Sequence, residues 1–160
     1  MNIYKYFLKK EDFKKIESVM MGNKFPWYFQ SNIVVVSKDK NDFQFIYAFV
    51  LDGQSNCSSD MMDLLKPIIS KLTFKNISKI KANLLTRDKK IKEHGMHIDQ
   101  DYGTTGIFYL NTCNGYTKFE NDKKIKSKKN TYVEFNSTLK HTGSSCTDQQ
   151  RRVVINFNYQ

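Results

Sequence analysis

Between Ile77 and Tyr159 the chain breaks into five short runs rich in β-branched and aromatic residues: Ile77 to Leu85, Thr104 to Asn111, Tyr116 to Phe119, Thr131 to Phe135, and Val153 to Tyr159. Turn-forming residues separate them, so this half predicts an all-β structure of short strands that must close in two layers to bury their apolar faces. The last run is the most informative. Strand side chains alternate, which puts Arg152, Val154, Asn156 and Asn158 on one face and Val153, Ile155, Phe157 and Tyr159 on the other. The apolar face should pack under helices, and the polar face then turns Arg152 into the space between the sheets. An unpaired guanidinium is costly to bury there, so Arg152 needs a carboxylate partner from the protein or from a ligand.

The first half reads differently. Phe7, Phe13, Ile16 and Met20 suggest one apolar helical face over Tyr4 to Met21, closed by Gly22-Asn23. Phe25-Pro26-Trp27-Tyr28 reads as an aromatic turn packed on the domain. Ile33 to Val36 and Phe43 to Val50 have strand composition, with Asn41-Asp42 between them and Asp52-Gly53 after. Ser58, Ser59 or Asp60 can cap a second helix running through Met61 and Leu65 to Leu72, with a kink at Pro67. The fold class expected is α+β: an antiparallel two-sheet structure with N-terminal helices packed on one face.

At 160 residues, 39% of them hydrophobic, the chain fits a single globular domain spanning 1–160. No apolar run approaches the roughly 20 residues of a membrane-spanning helix, and the N-terminus lacks a secretory pattern, so a cytoplasmic protein with no membrane role is expected. Cys57, Cys113 and Cys146 show no metal-ligand spacing and are read as reduced thiols. The formal charge of +10 invites a nucleic-acid reading. Yet the excess is almost all lysine, the only arginines being Arg87, Arg151 and Arg152, and no recognisable single-strand-binding motif accompanies it. The run Lys123 to Lys129 reads as a solvated hairpin edge.

Chemistry concentrates in His94-Gly95-Met96-His97-Ile98-Asp99. Residues two apart on a strand point the same way, so His97 and Asp99 can reach one ion while Ile98 packs. The one histidine downstream, His141, is the available third ligand. Two imidazoles and a carboxylate on one side of a metal leave adjacent positions open, which suits iron(II) chemistry; a structural zinc site would be closed by four ligands. His94 makes a rival pair with His97 and is read as a loop or supporting residue.

In order, His97-x-Asp99, Ile107-Phe108-Tyr109-Leu110-Asn111, Gly115-x-Thr117-x-Phe119, Val133-x-Phe135, His141 and Arg152-Val153-Val154-Ile155-Asn156-Phe157 resemble the iron(II) and 2-oxoglutarate dioxygenases of the prolyl 4-hydroxylase-like type. Small members of that kind occur in bacteria and phages. The resemblance covers about Ile77 to Tyr159 and implies a jelly roll, or double-stranded β-helix, with iron in its mouth. It implies iron ligation by His97, Asp99 and His141, and a 2-oxoglutarate carboxylate held by Arg152, with Tyr109 bonding it too and Asn83 lining its pocket. Fe(II), 2-oxoglutarate and O2 are the implied cofactor and co-substrates, with ascorbate a candidate reductant. The implied reaction is hydroxylation of a carbon centre, on a peptidyl, prolyl-like side chain ahead of a nucleobase or nucleic acid; a non-catalytic basic nucleic-acid-binding jelly roll is the competing class. Gly115-Tyr116 replaces a glycine pair, and Val154 stands where relatives often carry serine.

Overall fold

The computed structural model describes residues 1–33 and 42–160. In chain order the elements are β1 (Asn2–Lys5), α1 (Lys10–Met20), β2 (Tyr28–Gln30), β3 (Gln44–Leu51), β4 (Gln54–Ser55), α2 (Ser59–Ile69) and β5 (Ile77–Thr86). They continue with β6 (Thr104–Tyr109), β7 (Tyr116–Phe119), β8 (Lys124–Lys126), β9 (Thr131–Asn136), β10 (His141–Gly143) and β11 (Arg151–Tyr159). The larger sheet runs β1-β9-β6-β11-β5-β3-β2, with β4 added to β3, and the smaller runs β10-β7-β8. Glu93 and His97 bridge to Ser144 and His141, so the segment entering the His-x-Asp motif extends the smaller sheet.

The alternation of β11 sorts the interior into two layers. Val153, Ile155, Phe157 and Tyr159 face a core that also receives Phe13, Ile16 and Met20 of α1 and Leu64, Leu65 and Ile68 of α2. Val154, on the other face, joins Ile107, Tyr109, Phe119, Ile125 and Val133 between the sheets. Each fully buried side chain of this kind is worth about 1.5–3 kcal/mol of transfer free energy, so both layers contribute to holding β11 in the middle of the sheet. The helices therefore cover one face of the larger sheet, as expected, and the smaller sheet closes the other.

Local expectations fared unevenly. The helix expected over Tyr4 to Met21 begins only at Lys10, because Asn2–Lys5 pairs with β9, with Ile3 opposite Val133 and Tyr4 opposite Tyr132. The side chains of Asn2 and Tyr4 bond Glu134 at 2.9 and 2.8 Å, and Phe7 stacks on Tyr132 at 4.7 Å. Helical spacing of the apolar residues carried no sign of that distant edge. Ser58 takes the N-cap position of α2 without a side-chain capping bond, and the helix stops at Ile69, short of Leu72. Pro67 lies in its last turn, where it removes one backbone donor, and the helix ends two residues later. Of the strand expected over Ile33 to Val36, all but Ile33 lies outside the described residues. Phe25 is buried against Tyr47 and Phe49, as an aromatic turn packed on the domain should be. Within the lysine run, Lys124–Lys126 forms the edge strand β8 and buries Ile125. The strand β10 was not anticipated.

One close approach inside the larger sheet admits only glycine. The Tyr132 hydroxyl lies over Gly106, and a Cβ at that position would sit 1.8 Å from the Tyr132 oxygen. Overpacking a well-filled core costs about 1–3 kcal/mol, and here the obstructing ring is itself buried. Gly106→Ala should lower the denaturant midpoint with an unchanged m-value; an unaltered midpoint would show that the Tyr132 ring moves aside at no cost.

Candidate active site

The site begins with a backbone contact. His97 N–H donates to the His141 carbonyl and His141 N–H donates to the His97 carbonyl, both at 3.0 Å, a closed antiparallel pair that sets the two histidines opposite each other. Asp99, two residues on, is anchored by its N–H to the Ser137 carbonyl at 3.3 Å. His97 Nε2 lies 3.8 Å from Asp99 Oδ1, and His141 Nε2 lies 3.7 Å from Asp99 Oδ2. One ligand atom from each of the three residues falls within 4.8 Å of the others.

Both rings are oriented in the same way. Nδ1 of His97 is 3.0 Å from the Gly95 carbonyl, and Nδ1 of His141 is 3.0 Å from the Leu139 carbonyl. A carbonyl can only accept, so each Nδ1 carries a hydrogen, and Nε2 is the ring nitrogen turned toward Asp99. Burial disfavours charge on Asp99, but His141, Lys79, Thr105 and Asn158 together hold its carboxyl below the usual range. Thr105 Oγ1 donates to Asp99 Oδ2 at 2.8 Å, and Asn158 donates in turn to Thr105 at 3.0 Å. At His141 burial outweighs the neighbouring carboxylate and lowers the pKa, favouring the neutral ring. Two imidazole nitrogens and a supported carboxylate, open on one side, could hold a divalent ion such as iron(II).

Behind this cluster lies a cavity of about 100 Å³, lined by Asn83 and Leu85 of β5, Arg152, Val154 and Asn156 of β11, and by His94. The strand register explains the lining: Arg152 is opposite Leu85, Val154 opposite Asn83, and Asn156 opposite Lys81. Arg152 is 3% exposed, and among the described residues it forms no ion pair. Its terminal nitrogen donates to Thr117 Oγ1 at 3.2 Å, while its Nε has no partner. Burial lowers its pKa, opposed first by Tyr109. Gly115 makes room for the stem, since a Cβ there would meet Arg152 Cδ at 2.7 Å. Asn83 Oδ1, Asn156 Oδ1 and both ring nitrogens of His94 are likewise buried without hydrogen bonds. So many unanswered polar atoms around one cavity mark it as built for a polar occupant.

The other expected residues fall as follows. The Tyr109 hydroxyl donates to Thr117 Oγ1 at 2.8 Å, and its ring lies 5.7 Å from the Arg152 guanidinium. Thr117 thus accepts from both Arg152 and Tyr109, leaving its own hydrogen for a third partner. His94 stands apart from the three-residue cluster, 3.8 Å from Asp42. Arg151 points to the helix side and donates to the Met21 carbonyl. Thr105, Thr117, Asn156 and Asn158 were not singled out from sequence, although the alternation of β11 already placed both asparagines beside Arg152. A second, open hollow of about 670 Å³ adjoins His97 and Asp99 and is lined by Gln30, Asn32, Lys79 and Lys81.

The arrangement of strands is a double-stranded β-helix, or jelly roll, with helices on one face. Among solved structures it is similar to an oxidoreductase of the 2OG-Fe(II) oxygenase family from Burkholderia pseudomallei, with a TM-score of 0.70 and 12% identity over 95% of this chain and 80% of that one. A prolyl hydroxylase from Trichoplax adhaerens, in complex with a hypoxia inducible factor peptide fragment, gives 0.66 and 16% identity over 99% and 82%. A Pseudomonas putida prolyl-4-hydroxylase gives 0.64 and 13% over 99% and 91%. The chain thus has the fold of the iron(II) and 2-oxoglutarate oxygenases, in the prolyl-hydroxylase form. No protein-family model matches the sequence, and no curated protein matches it.

Glu93 ties the motif-bearing segment to the smaller sheet. It accepts from Tyr116 Oη at 2.6 Å and from Lys118 at 3.0 Å, and pairs with Lys124 at 3.0 Å. These bonds, that of Tyr116 first, hold its carboxyl down at about 2. The stability such a group lends is complete above the ordinary carboxylate range of about 4.3 and is lost as the pH falls toward 2. Because the site is partly open to solvent the effect is modest. The stability gap between the parent and Glu93→Gln should therefore be constant from pH 7 to 5 and close between pH 4.5 and 2; a gap independent of pH would remove the carboxylate from this role.

Proposed function

We propose that the chain is an iron(II)- and 2-oxoglutarate-dependent oxygenase that hydroxylates a carbon centre on a peptidyl, prolyl-like side chain. One observation carries this: two members of a His-Asp-His cluster, His97 and Asp99, line the same cavity as a buried arginine without an ion pair, and its walls hold unpartnered polar atoms. In this reading His97, Asp99 and His141 hold the metal. Arg152 takes the distal carboxylate of 2-oxoglutarate through a charge-assisted contact, and the free hydrogen of Thr117 adds a second donor. Tyr109 supports that pair from beneath through its bond to Thr117. Asn83 lines the passage between the anchor and the metal. When bound, iron(II) with 2-oxoglutarate and O2 supplies the oxidising power, yielding succinate and carbon dioxide as the substrate gains a hydroxyl.

The protein's own work is positional. Carbonyl-bound imidazoles and the Thr105-Asn158 relay fix the ligand atoms, while Leu85 and Val154 keep the cavity wall apolar beside the co-substrate stem. The hollow beside His97 is open enough to admit a chain segment, which supports a peptidyl side chain as substrate. Ascorbate enters only as a reductant that returns the metal to iron(II).

Two tests follow. Anaerobic iron(II) with 2-oxoglutarate should give a weak visible charge-transfer band that His97→Ala, Asp99→Ala and His141→Ala each abolish; three variants with undiminished iron affinity would sink the metal assignment. Arg152→Ala should weaken 2-oxoglutarate binding by roughly 2–5 kcal/mol, as loss of a buried charge partner does, and Arg151→Ala should leave it unchanged because that side chain faces the helices. The succinate formed as 2-oxoglutarate is varied reads both, and equal losses in the two variants would contradict the assignment of the anchor.

A further inference from the structure

The inner face of β5 carries a second set of cations. Its alternation sends Ile80, Ala82 and Leu84 into the helix-side core and turns Lys79, Lys81 and Asn83 to the site. Both lysines line the inner cavity and the open hollow, so they stand where the two spaces join beside His97 and Asp99. Each is half-buried, and neither has a hydrogen-bond or ion-pair partner among the described residues. Burial first, then the charge of Lys79, pulls the Lys81 pKa below its usual value. Two neighbouring ammonium groups, half out of water and answered among the described residues only by the field of Asp99, whose carboxylate is committed to the metal cluster, are an expensive arrangement.

Charge counting identifies what answers them. This step rests on the oxygenase assignment above. A divalent metal at His97, Asp99 and His141, with Arg152, Lys79 and Lys81, makes the site strongly positive, and among the described residues Asp99 is the one acidic residue lining either space. A dianionic 2-oxoglutarate, spent on the metal and Arg152, leaves the two lysines uncompensated. We infer that Lys79 and Lys81 form a recognition site for a carboxylate on the substrate, so that the preferred substrate is a peptide with an acidic residue next to the one oxidised.

Peptide is favoured over nucleic acid by what surrounds the lysines. Gln30 and Asn32 offer amide groups of the kind that pair with an extended backbone, and Met96 and Ile98 offer apolar surface. A single strand of nucleic acid needs rings on which bases can stack. The exposed stacked pair Phe29 and Phe43 packs with Phe45, a residue of the helix-side core, whereas the neighbouring Gln30 and Gln44 turn to the site. Those rings belong to the opposite face of the sheet from Lys79 and Lys81.

The test uses the full chain loaded with manganese(II) and 2-oxoglutarate, which is inert to turnover. Three fluorescein-labelled probes are compared by anisotropy: a proline-containing peptide flanked by Asp and Glu, the same peptide with Asn and Gln, and a single-stranded oligonucleotide of equal charge. The acidic peptide should bind about tenfold or more tightly than its amide twin, and Lys81→Gln should erase most of that preference. Lys79→Gln, at the outer position, should erase part of it and keeps the test open should Lys81→Gln not fold. With iron(II) and air, the acidic peptide should also raise succinate formation more than its twin. Equal binding of the two peptides overturns the inference, as does a lysine-dependent preference for the oligonucleotide. So does a Lys81→Gln variant that loses 2-oxoglutarate affinity but keeps peptide discrimination. Failure of the parent protein to bind 2-oxoglutarate with manganese(II) is a separate result: it removes the oxygenase assignment, and this inference with it.

Discussion

The two hydrogen bonds between the backbones of His97 and His141 are the contact on which the site depends. They join a segment that follows β5 to a strand that follows β9, and they fix the distance between two imidazoles by main-chain geometry alone. The spacing of Asp99 and the turn of each ring are then local, while Ser137 and the Thr105-Asn158 relay hold Asp99 from a distance. Asp99 follows His97 by the strand period, and each ring is turned by a carbonyl two residues before it. Side-chain packing could vary widely around such a bridge without moving the ligand atoms far. That fits a fold held in common at 12–16% identity with the structures it resembles.

A second constraint is electrostatic. The larger sheet carries Arg152, Lys81 and Lys79 on the inward faces of two adjacent interior strands, β11 and β5, where a wholly apolar stripe would have packed more simply. Arg152 is accommodated by glycine at 115, by the Tyr109 ring and by the Thr117 hydroxyl, none of which neutralises it. The protein tolerates unpaired charge where an anionic ligand can be seated, and it offsets the cost with two apolar layers on either side of the same strands. The helix-side face of β5 and β11 is thus wholly apolar at its core positions, while the other face shares its space between apolar packing and the polar cavity.

How far the sequence foretold this depends on the range of the interaction. The alternation of β11 is a property of neighbouring residues, and it placed Arg152, the helix-side core and the inter-sheet face correctly. His97 and Asp99 were legible for the same reason, and His141 because the sequence holds no other downstream histidine. Features set by distant partners were not legible. Asn2–Lys5 looked helical because only β9 makes it a strand, and β10 is too short to show a pattern without its pairing to β7. Thr105 and Thr117 are ordinary strand threonines until Asp99 and Arg152 are brought against them. The departure at Val154 has a structural place, in the wall of the cavity and in the apolar layer between the sheets.

The position of β11 carries a consequence for how the molecule comes into being. It is the last strand in chain order, yet it occupies the middle of the larger sheet, hydrogen-bonded to β5 on one side and β6 on the other. Until it arrives, those two strands expose unpaired edges, and the helices lack much of the surface they cover. A chain emerging from the ribosome must keep this slot vacant while every other strand is already made, and the closing contacts are among the longest-range in the fold. The buried Arg152 travels on that same strand. Placing Arg152 beside the cavity and filling the slot between β5 and β6 are therefore one event.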